Sequence, residues 1–128
     1  TDRVFFPGKI PPENLYRLTA QCDIGLSLEE DLGMNYRFSL PNKIFDYIQA
    51  RIPVLCSDLP EMGSLVNEFG IGQVCKSREP ERLAEQILAM LTNRDLKLTW
   101  EKNLEKSAEL LCWENEENKV IEIIDSLR

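Results

Sequence analysis

Hydrophobic and polar residues alternate along this chain with two different periods. Short runs rich in β-forming residues predict strands, and the segments between them carry apolar residues at helical spacing. The predicted strands cover residues 4–6, 24–28, 53–56 and 72–75, and the predicted helices between them cover residues 12–21, 42–50 and 61–69. Such alternation is typical of a parallel sheet covered by helices.

The strand pattern ends near residue 79, and three amphipathic helices are predicted after it. One begins at Pro80, a second covers residues 94–111, and a third begins at Trp113 and carries Val120, Ile121, Ile124 and Leu127 on its apolar stripe. The predicted class is α/β, a partial Rossmann-like parallel sheet of about four strands with flanking helices and a helical C-terminal tail. Because doubly wound sheets commonly have five or six strands, the chain is either a small complete fold or the second half of a larger one.

Composition narrows the classes of partner. The 128 residues include 15 basic and 22 acidic side chains, a net charge of −7, so binding to nucleic acid is not expected and any anion must be held locally. The chain has no histidine, which excludes an imidazole general base and a histidine-ligated zinc ion within it. Neither a membrane span nor a signal peptide is predicted.

The four cysteines, Cys22, Cys56, Cys75 and Cys112, form no C-x-x-C pair. Two of them lie in predicted strands. We expect all four to be reduced, buried side chains in a cytoplasmic protein.

The start of the predicted helix 42–50 is the first candidate site. The loop 29–41 before it is the longest connection and follows a strand, at the sheet edge where such folds bind ligands. Asn42, Lys43 and Asp46 share one helical face. A lysine beside the free amides of a helix start favours a bound phosphate, and Asp46 could then accept hydrogen bonds from hydroxyl groups. Asp46 could equally serve only to complement the helix dipole.

Other segments at the same sheet edge have two interpretations each. Lys9 and Ile10 follow the first predicted strand and belong either to a binding loop or to a simple Pro-Gly turn. Ser57 and Asp58 follow the third predicted strand and either belong to a binding loop or only cap the next helix. In the long loop, Tyr36, Arg37 and Phe38 either contact a sugar or anchor the loop.

These residues resemble a known family. The segment "SLPNKIFDYIQARIPVLCSD" is similar to the donor-binding segment of group 1 (family 4) glycosyltransferases of the GT-B fold, in the subset with the pattern S-x-P-N-K-x-F-E-Y-x-x-A-x-x-P-V-x-x-S-D. The flanking "VFFPGKIPPENLYRLTAQCDIGLSL" and "FGIGQVCKSREPERLAEQILAML" also resemble that family. The similarity covers nearly the whole chain and is strongest over residues 4–91.

The resemblance implies a binding site for a nucleotide-diphosphate sugar. It assigns the ribose hydroxyls to Asp46, the diphosphate to the segment Ser39, Leu40, Pro41, Asn42 and Lys43, and the nucleobase to Lys9 and Ile10. Where the family commonly has a first glutamate, this chain has Phe38, whose side chain cannot hydrogen-bond to a sugar hydroxyl. The donor is a substrate, and neither a cofactor nor a metal is implied.

The resemblance also implies a parent enzyme. Residues 1–128 would form a single, truncated C-terminal nucleotide-sugar-binding domain of a retaining, metal-independent glycosyltransferase that acts in surface polysaccharide or lipopolysaccharide synthesis. The parent would be cytoplasmic, at the inner face of the membrane, with catalytic residues and an N-terminal acceptor domain outside this chain. The fragment would be inactive alone and would self-associate through an exposed sheet edge or the C-terminal helix.

Two alternatives remain open. A nucleotide-sugar epimerase shares the GT-B fold but usually relies on histidine and acidic groups that are not found here. A non-catalytic α/β interaction module is the second; its signalling form needs an aspartate cluster at the strand ends, where the first predicted strand instead ends in "PGK".

Overall fold

A parallel sheet of three strands lies at the centre of the computed structural model, which describes residues 2–128. The strands are β1 (Gly25–Ser27), β2 (Val54–Cys56) and β3 (Gly72–Val74). They are adjacent in chain order, so β2 pairs with both of its neighbours, with Leu26 opposite Leu55 and Leu55 opposite Gln73. The α/β class and the parallel sheet are confirmed, with one strand fewer than predicted.

The missing strand is the first one. Val4, Phe5 and Phe6 form no strand, and their side chains are 58%, 81% and 92% exposed. A run of β-forming residues becomes a strand only where a neighbouring strand accepts its backbone hydrogen bonds. Within residues 2–128 the sheet ends at β1, and the segment before α1 does not pair with that edge.

Seven helices surround the sheet in the part of the chain that the structure describes. Six agree with the predicted helices, and only the short α2 was not predicted. Their bounds are α1 Pro12–Thr19, α2 Met34–Arg37, α3 Asn42–Gln49, α4 Pro60–Phe69, α5 Pro80–Thr92, α6 Arg94–Leu110 and α7 Trp113–Ser126. Proline opens α1, α4 and α5, where its missing N–H leaves no hydrogen bond unmade.

The core lies between β2 and the helices α3, α4 and α6. All three residues of β2 are buried, as expected for the central strand of a covered parallel sheet. The helices contribute one buried row each, namely Ile44 and Ile48 from α3, Met62 and Val66 from α4, and Trp100, Leu104 and Ala108 from α6. Gln49 ties α3 to the end of α6, because its side-chain amide donates to the carbonyls of Ala108 at 3.0 Å and Leu111 at 3.1 Å.

Tyr47 fixes α3 against the edge strand. Its hydroxyl donates to the carbonyl of Leu26 at 3.1 Å, and burial raises its pKa above the ordinary value. Its ring lies over Gly25, where an added Cβ would come within 2.5 Å of the ring carbon Cδ2. A side chain at position 25 would therefore displace the ring, so the approach of α3 to β1 requires glycine there.

The outer helices are less well covered. Neither α1 nor α7 contains a buried residue. The predicted apolar stripe of α7 is exposed at Val120, Ile121 and Ile124, as is Leu127 directly after the helix, so the expectation of an uncovered C-terminal helix agrees with the structure. Of the four cysteines, Cys56 and Cys75 are buried as predicted. The prediction is wrong for Cys22, which is exposed, and for Cys112, which is only half-buried.

Candidate functional site

The N-terminus of α3 is open to solvent. Pro41 precedes the first helical residue, and no side chain within residues 2–128 caps the helix. Asn42 and Lys43 are exposed in its first turn, where backbone N–H groups lack helical partners. Ser39 and Leu40 are also exposed, directly before Pro41. An uncapped helix start attracts anions, because its free amides and its dipole both favour negative charge.

Lys43 does not point freely into solvent. Its ammonium forms an ion pair with the carboxylate of Glu29, which lies two residues beyond the end of β1. The second carboxylate oxygen of Glu29 accepts a hydrogen bond of 2.8 Å from the buried hydroxyl of Ser27. An anion beside Lys43 was predicted from the cost of a lysine at a helix start; the structure supplies one from the protein itself.

Glu29 is ionised in this setting. Partial burial by itself would raise the pKa of its carboxyl group, but the hydrogen bonds from Lys43 and Ser27, a backbone hydrogen bond and the charge of Lys43 together outweigh burial. The pKa of Glu29 therefore lies below its ordinary value of 4.5. At neutral pH the pair consists of a full negative and a full positive charge.

The backbone of Glu29 is also held. Its carbonyl accepts hydrogen bonds from the hydroxyl of Ser57 at 2.5 Å and from the guanidinium of Arg78 at 3.3 Å. Arg78 donates further to the carbonyl of Leu28 at 3.0 Å and to the Ser57 hydroxyl at 3.1 Å. Residues that follow β1, β2 and β3 are thus joined at the carboxyl edge of the sheet.

Sequence reasoning missed this network. Ser57 was expected to cap the next helix, but α4 has no side-chain cap among the described residues, and Ser57 bonds to Glu29 instead. Glu29 and Arg78 were not considered as site residues. The available signal was position, because parallel strands end at one edge and polar residues just after them come together.

Asp46 is exposed one turn into α3, and no side-chain or backbone donor within residues 2–128 is hydrogen-bonded to its carboxylate. It borders two clefts. The smaller, of about 220 Å³, lies between α3 and α1 and is also lined by Pro12, Tyr16, Lys43 and Tyr47. The larger, of about 910 Å³, lies between α3 and the start of α7 and is also lined by Asn42, Phe45 and Trp113. Asp46 can therefore accept hydrogen bonds from a ligand in either cleft.

Lys9 and Ile10 lie on the α1 side of this region. Lys9 is exposed and Ile10 is half-buried, immediately before α1. The smaller cleft begins at Pro12, two residues later, and neither Lys9 nor Ile10 lines it. The structure thus gathers residues 39–43 and Asp46 at the start of α3, whereas Lys9 and Ile10 belong to the segment that leads into α1.

The long loop 29–41 is partly ordered by its own contacts. Its centre forms α2, and the guanidinium of Arg37 donates to the carboxylate of Asp31 at 2.8 Å. The hydrogen bond from Arg37 lowers the pKa of Asp31 below its ordinary value. Tyr36 and Phe38 are exposed. For Arg37, anchoring the loop is therefore the role that the contacts support.

Comparison with known proteins identifies the family. The model of the group 1 glycosyl transferases matches residues 1–107, most of the chain. No match was found among curated proteins or among solved structures. The chain belongs to the group 1 glycosyl transferases, and this match supports glycosyl transfer over the epimerase and the non-catalytic module. Within residues 2–128, no helix combines the length and apolar character that crossing a bilayer requires.

Proposed function

We propose that this chain binds the nucleoside diphosphate portion of a sugar donor. The carboxylate of Asp46 accepts hydrogen bonds from the ribose hydroxyls, while the amides at the start of α3 and the ammonium of Lys43 hold the diphosphate. The observation that carries this assignment is the exposed carboxylate of Asp46, one turn from an uncapped helix start and bordering the same cleft as Lys43.

The smaller cleft supports the placement of the nucleoside. Pro12 and Tyr16 of α1 face Asp46 and Lys43 of α3 across it. An aromatic and apolar wall opposite a carboxylate suits a base with its ribose, because the ring can pack against the base while the carboxylate bonds to hydroxyls. Lys9 and Ile10, directly before this wall, are assigned to the edge of the base.

The proposed reaction is transfer of the donor sugar to an acceptor with retention of configuration and without a metal ion. As the glycosidic bond breaks, negative charge grows on the diphosphate, and fixed amides and cations stabilise it. The catalytic residues and the acceptor site are assigned to an N-terminal domain outside this chain. The pathway proposed is surface polysaccharide or lipopolysaccharide assembly, in the cytoplasm at the inner face of the membrane.

Calorimetric titration with UDP, GDP and ADP tests the donor site. We expect one diphosphate to bind, and Asp46→Ala and Lys43→Ala each to weaken its binding by roughly 1.5–3 kcal/mol, the usual loss for a hydrogen bond to a charged group. Asp95→Ala and Lys102→Ala are matched controls, because both side chains are exposed on α6 and should leave affinity unchanged. An affinity for the diphosphate that neither Asp46→Ala nor Lys43→Ala changes would refute the assignment.

A further inference from the structure

We propose that Glu29 is a positioning residue of the donor site, which holds the ammonium of Lys43 at the carboxyl edge of the sheet before the donor arrives. The proposal rests on the proposed function, in which Lys43 meets the diphosphate. Neither the sequence pattern nor the family match singles out Glu29. The proposal also gives a role to the hydrogen bonds that Ser27, Ser57 and Arg78 donate to Glu29.

The carboxylate of Glu29 is itself fixed, so it can fix another group. One oxygen forms the ion pair with Lys43, and the other accepts a hydrogen bond from the hydroxyl of Ser27, which is fully buried in β1. The side chain of Glu29 is only 19% exposed, whereas that of Lys43 is 44% exposed. Exposed ion pairs between two long mobile side chains contribute little, but here one partner is anchored to the strand.

The backbone behind Glu29 is anchored as well. Ser57 and Arg78 both donate hydrogen bonds to its carbonyl, and Ser57 is buried. Because Ser27 of β1 and residues that follow β2 and β3 all contribute to this arrangement, the position of the carboxylate is set by the sheet edge rather than by the long loop that follows it. The neighbouring Glu30 differs, since its only charged contact is with Arg78 at 4.0 Å in the described part of the chain.

Holding Lys43 in place has a direct consequence for binding. A free lysine side chain loses rotamer freedom when it meets a phosphate, and that loss opposes binding. A lysine that is already ordered has less freedom to lose. It also keeps N–H donors that Glu29 does not use, because an ammonium has three.

The charge of Glu29 acts in the opposite direction, because a carboxylate repels a diphosphate. The contacts favour ordering as the larger effect, since the guanidinium of Arg78 bonds to the backbone of Glu29 and brings a compensating positive charge. The two effects predict opposite signs for removal of Glu29, which makes the proposal testable.

The experiment compares the wild-type chain with Glu29→Ala, Glu29→Gln and the matched control Glu30→Gln. The mobility of the Lys43 side chain is measured by NMR relaxation of its Cε methylene in the free chain. The affinity for UDP, GDP and ADP is measured by calorimetry on the same samples, with circular dichroism to establish that each variant is folded. Glutamine can accept from Lys43 and donate to Ser27, so it keeps both contacts of Glu29 without its charge.

We expect Glu29→Ala to free the Lys43 side chain and to weaken the diphosphate that binds by roughly three- to tenfold. Glu29→Gln should keep Lys43 ordered and stay within about twofold of the wild type, and Glu30→Gln should change neither readout. Tighter binding by both Glu29 variants would show that repulsion dominates and would overturn the proposal.

The two proposals fail in different ways. If a diphosphate binds but Glu29→Ala leaves the mobility of Lys43 unchanged, the positioning role fails while the donor site stands. If no diphosphate binds to the wild type although Glu29 orders Lys43, the donor site fails in this chain, and the ion pair has only a structural role.

Discussion

Gly25→Ala should disrupt the contact that sets α3, and with it the candidate site, against β1. The added Cβ would lie 2.5 Å from ring carbons Cγ and Cδ2 of Tyr47 and 2.7 Å from Cδ1. Ordinary carbon contacts are about 3.5–4.0 Å, so the ring must move by roughly 1 Å or leave its place. Overpacking of this kind costs about 1–3 kcal/mol, and loss of the hydrogen bond from Tyr47 to the carbonyl of Leu26 adds about 1 kcal/mol.

The expected loss is therefore about 2–4 kcal/mol of the free energy of unfolding, a large share of the roughly 5–15 kcal/mol typical of a domain. Urea unfolding followed by circular dichroism measures it. Gly63→Ala is the matched control, because the nearest atoms to a Cβ there are 3.7 and 3.9 Å away and the residue lies inside α4. Alanine has the higher helix propensity, so that variant should be unchanged or more stable by up to about 1 kcal/mol.

A double-mutant cycle identifies the cause. If Tyr47 is the residue that Gly25→Ala displaces, the combination with Tyr47→Ala should be less destabilised than the sum of the single variants, by at least about 1 kcal/mol. A Gly25→Ala chain as stable as the wild type, or strictly additive effects, would refute this packing of Tyr47 on Gly25.

Three further predictions concern charge, thiols and association. The lowered pKa of Glu29 contributes stability above its ordinary value of 4.5, and this stability is lost as the pH falls through the folded pKa. Urea titrations at different pH should therefore show a smaller loss of unfolding free energy on acidification for Glu29→Gln than for the wild type. An equal loss in both chains would contradict this. Iodoacetamide should label exposed Cys22 first and spare Cys56, because burial raises the pKa of that thiol to about 12; mass spectrometry showing early Cys56 labelling would contradict it. Because α7 exposes Ile121 and Ile124, the mass measured by light scattering on the concentrated chain should exceed the 14.8 kDa of the monomer, and Ile124→Glu should lower it to the monomer mass. A monomeric wild type would count against self-association.

Most of the fold could be predicted from periodicity. The bounds of α3, α4 and α6 and the start of α5 were predicted to within one residue, since start signals such as Pro80 coincide with apolar stripes that pack against the core. The strand predicted at residues 4–6 is wrong, and periodicity alone could not show this. Its residues favour a strand, but pairing depends on which neighbour lies beside it, and local sequence does not encode that.

In the candidate site, too, contacts within one element could be predicted and contacts between elements could not. Asn42, Lys43 and Asp46 share a helical face because of their spacing, and the structure keeps them together at the start of α3. The partner of Lys43 is 14 positions earlier, in Glu29, and Arg78 comes from beyond β3. Contacts between separate elements depend on the order and register of the strands, so spacing within one segment could not reveal them.

We propose above that a nucleoside diphosphate binds at the start of α3 with its ribose on Asp46. The most direct measurement is an NMR titration of the isotopically labelled chain with the diphosphate that binds most tightly. The largest shifts should fall on the backbone amides of Asn42, Lys43 and Ile44, and Asp46→Ala should reduce these shifts at equal ligand concentration. Shifts confined to another surface, or none at saturating ligand, would contradict it.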